Sequence, residues 1–197
     1  MYSYIIGDVK TIGEDFIVLE NNGIGYMIQA SARTIAKYNI NETYKVHTAY
    51  ILRDDGVFLY GFYSEEELDM FYMLTSVSSI GPKNGLSILS TLSVLTIKLA
   101  IINNDIKTLS KAPGVGKKTA SRIILELSDK IKDVDISQEE IEEENSDVER
   151  MDNYKIALDA LINLGYTRND ASKALGKVDL EDMELQDIIK FALKNIG

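Results

Sequence analysis

Ser79-Ile80-Gly81-Pro82-Lys83 and, 35 residues further on, Gly114-Val115-Gly116-Lys117-Lys118 decide the reading of this chain. Around them Leu74, Val77, Ile88 and Leu89 recur at the same offset as Leu109, Ala112, Ile123 and Ile124. Each unit is an apolar stretch at helical spacing, a tight turn with an apolar residue beside glycine, and a second helix that starts at lysine. The first unit carries Ser79 where the second carries Gly114. The sequence therefore leaves open whether the two turns share one backbone shape.

The pattern is a helix-hairpin-helix, present twice in register. Glycine lets the backbone approach a ligand closely and adopt positive φ. The turn leads into a helix N-terminus, where free N–H groups and the helix dipole favour an anion. Lys83, Lys117, Lys118 and Arg122 add positive charge. Gly81, Gly114 and Gly116 with these four side chains are the candidate DNA-binding residues. They would hold phosphates and read no bases, so binding should be independent of sequence and steeply salt-dependent. Gly114 to Thr119 also resembles a fragment of a nucleotide phosphate loop. That loop requires G-x-x-x-x-G-K-[ST]. Here Lys111 stands where the first glycine belongs and Lys118 where Ser or Thr belongs, which argues against ATP hydrolysis by this chain.

On the N-terminal side, Ser64 followed by Glu65, Glu66 and Glu67 reads as a helix start, and the run to Lys132 as helical. Before Ser64 the texture is that of strands: Tyr2 to Ile6, Asp15 to Leu19, Gly25 to Gln29, Tyr44 to Leu52 and Val57 to Tyr63. Asn21-Asn22-Gly23 marks one turn and Arg53-Asp54-Asp55-Gly56 a hairpin tip. A helix is expected near Ser31 to Lys37. Short strands at this spacing suggest a small closed barrel. On the C-terminal side, residues 133–153 hold ten acids and one base, Arg150, which reads as a disordered linker. Residues 154–197 read as three short helices: Tyr154 to Leu164 with Gly165 as a C-cap, Asp170 to Leu175 stopped by Gly176, and Glu184 to Ile196. The expected fold class is multidomain α+β, with a barrel at 1–63, a helical domain at 64–132, the acidic linker at 133–153 and a three-helix domain at 154–197.

Across 197 residues the net charge is −10, an unpromising total for a nucleic-acid binder. The total hides its distribution. Residues 73–132 carry nine Lys and Arg against three Asp and Glu, so the basic surface coincides with the repeat. There is no Cys and only one His, His47, which leaves no Cys/His zinc site and no nucleophile–His pair in recognisable context. No cofactor is expected. Neither a signal peptide nor an apolar run of membrane-spanning length is visible, so the chain reads as cytoplasmic. Two other readings were weighed. A DNA glycosylase or nuclease would need a base pocket or a carboxylate cluster for metal ions; the segment after the repeat has no room for the first, and Asp54 and Asp55 lack a third partner for the second. An adaptor working through its tail alone would leave the basic repeat unexplained.

The order of barrel, paired hairpins, linker and three-helix tail resembles the RuvA family of Holliday-junction-binding subunits. Arg53-Asp54-Asp55-Gly56 with Leu59-Tyr60-Gly61-Phe62 is similar to the family's acidic-pin hairpin and the strand after it. Ile80-Gly81-Pro82-Lys83 and Pro113 to Ala120 match its two DNA clamps. Ala157 to Leu161 through Leu164-Gly165-Tyr166 resembles the start of its tail domain. The resemblance implies an OB-fold first domain assembling a homotetramer (a second, facing tetramer would make an octamer), bound to four-way junction DNA, with no membrane involved. It implies that Asp54 and Asp55 cluster at the centre and repel phosphates there. It also implies that the tail binds a hexameric RuvB-type ATPase, with Leu161, Leu164 and Tyr166 as candidate partner-binding residues.

Overall fold

Alternation builds the first layer. Along β1 (Tyr4–Ile12), Ile5, Gly7 and Val9 turn inward while their neighbours stay at least partly exposed, the period of two of a half-buried strand. With β2 (Phe16–Asn21), β3 (Ile24–Ala30), β4 (Thr43–Arg53) and β5 (Gly56–Phe62) it closes a barrel in the order β1-β2-β3-β5-β4. The closing β3–β5 pair is parallel, through Gln29 opposite Tyr60 and Ala30 opposite Gly61. β1 runs on past the expected Ile6 because it serves two partners, β4 along Tyr4–Asp8 and β2 along Asp8–Ile12, with an irregularity between Val9 and Thr11. The polar residues Asp8, Lys10 and Thr11 hid that extension in the sequence. Asn22 and Gly23 both have positive φ, 50° and 79°, which gives the β2–β3 hairpin its tight primed turn. Ile5, Val9, Ile17, Leu19, Ile28 and Val46 fill the interior.

The computed structural model describes residues 2–131, 153, 156–175 and 185–195. The chain divides into one unit over Met1–Asp135 and another over Ile136–Gly197. In the first, α1 (Ala32–Ile35) follows the barrel's third strand, with Ser31 as its cap, where the sequence expects a helix. Then come α2 (Glu65–Ser76), α3 (Pro82–Thr91), α4 (Val94–Ile102), α5 (Ile106–Leu109) and α6 (Lys117–Ile131). Side chains that compete with helix backbone start these helices: Ser64 accepts from Glu67 N–H at 3.2 Å and Ser93 from Thr96 N–H at 3.0 Å. The apolar helix expected ahead of the second hairpin is only the single turn α5; the helical length lies in α4 before it.

Barrel and helices share a core. Phe71 of α2 is fully buried against Tyr60 and Phe62 of β5, at ring-centroid distances of 5.5 and 4.9 Å. Polar contacts fix the same junction. The Glu67 carboxylate accepts from Thr34 Oγ1 at 2.8 Å and Tyr63 N–H at 3.0 Å, and pairs with Lys37 at 3.2 Å. Ser90 Oγ on α3 accepts from Ala32 N–H at 3.1 Å. The helical segment is thereby held to the barrel through α1.

The second unit contains α7 (156–163), α8 (Arg168–Leu175) and α9 (Leu185–Asn195), packed through Ala157, Leu158, Leu161, Ala174, Leu175 and Ile188. Gly165 has φ 98°, and the Gly165 and Tyr166 N–H groups donate to Ile162 and Leu161 carbonyls at 3.0 and 3.2 Å, the paired bonds of a Schellman end. Thr167 caps α8, taking the Asp170 N–H at 3.2 Å, so that helix starts two residues before Asp170. The expected bounds at Tyr154, Gly176, Glu184 and Ile196 lie outside the described residues, as does the acidic segment apart from Asn153.

Candidate nucleic-acid interface

The two hairpins have the same backbone. Ser79 has φ 87° and its equivalent Gly114 has φ 83°, so the substitution at this point does not change the turn. The hydrogen bonds also recur at the 35-residue offset. Val77 N–H donates to Leu74 O, Ile80 N–H to Val77 O and Gly85 N–H to Gly81 O, at 3.1, 3.0 and 3.0 Å. In the second unit Ala112 donates to Leu109, Val115 to Ala112 and Ala120 to Gly116, at 3.4, 3.0 and 2.9 Å. Ile80 and Val115 are buried and plug each turn into the core.

Each turn delivers an open helix start. Gly81 is the N-cap of α3, with no side chain capping it and Pro82 in the first turn. Gly116 precedes α6, whose first bond to a carbonyl four residues back is made by Ala120. The Lys117, Lys118 and Thr119 N–H groups therefore face outward, as do those of Lys83 and Asn84 in α3. A Cβ at Gly81 or Gly116 would meet nothing within 4 Å; the space in front of both helix starts is open, as close approach by a phosphate needs. Lys83, Lys117 and Lys118 are exposed beside them. Arg122 is exposed too, but part of its guanidinium has partners within the protein: Nη1 donates to Ser78 O at 3.3 Å and Nε lies 3.6 Å from Glu126. The segment ahead of Gly116 is α5 and a turn, not the strand that a nucleotide phosphate loop requires.

Asp54 and Asp55 form the exposed tip of the β4–β5 hairpin, between the paired residues Arg53 and Gly56. Asp55 pairs with Arg53 at 3.1 Å, and the Arg53 guanidinium sits over the Phe58 ring at 5.2 Å. Among the described residues Asp54 forms no ion pair. In the tail, Leu164 and Tyr166 are 62% and 38% exposed, on the loop that follows α7. Leu161 corrects the expectation that it faces a partner: it is fully buried in the tail's own core, because its place one helical turn after Ala157 puts it on the inward stripe. Among the described residues no cluster of three His, Cys, Asp or Glu is placed to hold a metal ion, and no single helix is long and apolar enough to cross a membrane.

Sequence reasoning missed Ser78, Ser87 and Glu126, which tie the hairpins together. Ser78 donates to Glu126 from both its N–H (3.2 Å) and its Oγ (2.9 Å), and Ser87 Oγ donates to Pro113 O at 2.8 Å. The signal was present, since Ser87 and Ser78 are the 35-residue equivalents of Arg122 and Pro113.

An OB-fold barrel joined to a tandem helix-hairpin-helix domain, with two open helix starts on one basic segment, defines a scaffold of the helix-hairpin-helix class. Comparison with known proteins narrows the class. Residues 1–61 match the model of the RuvA N-terminal domain, residues 71–129 the SAM-like helix-hairpin-helix tandem, and residues 157–197 the RuvA C-terminal domain. The chain is 46% identical over 197 residues to a Holliday junction branch migration complex subunit RuvA of Finegoldia magna, covering 100% of this chain and 98% of that protein. It is 44% identical over 200 residues to the protein of that name in Acetivibrio thermocellus, and 44% identical over 199 residues to that of Clostridium tetani, with at least 98% of each chain covered. The chain belongs to the RuvA family.

Proposed function

We infer that this protein binds four-way (Holliday) junction DNA through its sugar-phosphate backbone, as a homotetramer, and presents it to a RuvB-type hexameric ATPase for branch migration. One observation carries the reading: two turns of identical backbone shape each open an uncapped helix start beside exposed lysines. Such a site binds phosphate by geometry and charge and has no group aimed at a base edge. Gly81, Gly114 and Gly116 allow the approach, Lys83, Lys117 and Lys118 supply the charge, and Arg122 borders them. The names of the relatives support the junction as substrate and branch migration as the process. The protein's role is non-catalytic, its setting cytoplasmic, and the ATP-driven step belongs to the partner.

The division of labour follows the chain. Residues 1–63 assemble the tetramer and present Asp54 and Asp55 at its centre, where their charge repels phosphates and keeps the crossing strands apart. Residues 64–132 hold the arms, 133–153 tether, and 154–197 dock the ATPase through Leu164 and Tyr166. Fluorescence-anisotropy titrations on junctions of two unrelated sequences test the binding mode. Equal affinities are expected, with a negative slope of log affinity against log salt that Lys118→Ala makes shallower by about 0.9. An affinity that follows sequence, or ignores salt, would contradict the reading.

A further inference from the structure

The two hairpins grip each other as well as the core. Arg122 on α6 donates to the carbonyl of Ser78 in the first turn, and its 35-residue equivalent, Ser87 on α3, donates to the carbonyl of Pro113 in the second. Ser78 and Pro113 are themselves equivalents. Each recognition helix thus holds the turn of the other unit by one matched bond. The grip on the first turn is stronger. Glu126 takes the Ser78 N–H and Oγ, Arg122 takes the Ser78 carbonyl, and Arg122 and Glu126 face each other one helical turn apart. Farther along that face, Lys130 Nζ reaches Ser76 Oγ at 3.4 Å. The residue after Ser78 is Ser79, held at φ 87° without the freedom of glycine, so the first turn benefits most from being held.

We propose that Arg122 and Glu126 are positioning residues: a latch that sets the first phosphate-binding turn relative to the second. A carboxylate on a basic DNA-binding surface otherwise works against its purpose, since it repels the phosphates its neighbours attract. The surface ion pair with Arg122 is worth little in its own right. Glu126 is accounted for by what it holds. An N–H and a hydroxyl converging on one carboxylate fix the backbone at Ser78, and two anchor points at fixed spacing bind one duplex far better than two that move independently. The inference rests on the phosphate-binding reading of the two helix starts.

The test compares the full-length wild type, Glu126→Ala, Glu126→Gln and Lys118→Ala in junction binding as a function of salt, with thermal unfolding of each. The latch predicts that Glu126→Ala binds about tenfold more weakly, the low end of a charge-assisted bond lost from the grip. The salt slope stays unchanged, because no phosphate contact has been removed. Glu126→Gln keeps an oxygen for the Ser78 N–H and should bind more tightly than Glu126→Ala, although both variants carry the same charge. Should Glu126→Ala fail to fold, Ser78→Ala, which removes one donor of the latch, carries the same comparison and should weaken binding. Glu126→Ala binding as well as or better than wild type overturns the latch, as does equal affinity of the two Glu126 variants. Failure of the wild type to bind, or an unaltered affinity and salt slope in Lys118→Ala, overturns the phosphate-binding reading instead.

Discussion

Replacing Ser79 by glycine should stabilise the protein. Ser79 is exposed and sits at φ 87°, within a few degrees of its equivalent Gly114 at 83°. A residue with a Cβ costs about 1–2 kcal/mol in the left-handed region. Glycine removes that cost but loses about 0.5–1 kcal/mol more backbone entropy on folding. The balance favours Ser79→Gly by about 0.5–1 kcal/mol, which raises the midpoint of thermal unfolding by about 1–4 °C in a chain of this size. Urea denaturation measures it: the midpoint should rise while the slope stays constant. The reverse change, Gly114→Ser, should lower the midpoint, since its Cβ adopts the same strained angle and stands 3.1 Å from Asn84 Oδ1. Junction affinity of Ser79→Gly should equal that of wild type, because the turn already has its binding shape. A lowered midpoint for Ser79→Gly, or an unchanged one for Gly114→Ser, would refute the claim that both turns require left-handed backbone.

Other consequences are open to direct measurement. Gly61→Ala puts a Cβ 2.4 Å from Ile28 Cγ2 and 2.8 Å from Val46 Cγ1 inside the barrel, and should destabilise by about 1–3 kcal/mol in denaturant titration. Asp105 caps α5, and the Thr108 hydroxyl, followed by its N–H, holds the carboxyl below its usual range. A depressed folded value means that its stabilisation is present above about pH 4, the ordinary carboxylate value, and is lost as pH falls through the folded value. Asp105→Asn keeps a capping oxygen and should flatten that part of the acid limb in urea midpoints measured against pH. The double change Asp54→Asn, Asp55→Asn should leave duplex affinity intact or raised and reduce separation of the strands at the crossover, read by a fluorescent base analogue placed there.

The legible parts of this fold are those where local chemistry and tertiary demand agree. The repeat was visible because a helix start beside an open glycine needs the same residue types each time, and the barrel because period-two burial writes itself into Ile5, Val9, Ile17 and Leu19. β1 was cut short in the reading because its second half answers to two neighbouring strands rather than to its own composition. Ser79 hid the identity of the two turns: its backbone angle is imposed by flanking anchors, Ile80 in the core and Ser78 on Glu126, and not by its own preference. Leu161 showed a different limit. A leucine on an amphipathic helix near a presumed docking loop looks the same whether it faces a partner or its own core, and only the packing of α7 against α8 and α9 decides. The bonds from Arg122 and Glu126 to Ser78 join residues more than 40 apart in sequence, so only the repeat's own symmetry hinted at them.

The most direct test of the account is a competition titration on a synthetic four-way junction against a linear duplex of equal length, at two salt concentrations. The account predicts strong preference for the junction, with affinity for both DNAs falling steeply as salt rises. Equal binding to the two DNAs would contradict the four-armed assembly and the role given to Asp54 and Asp55. Binding to neither would contradict the phosphate-binding role of the paired hairpins.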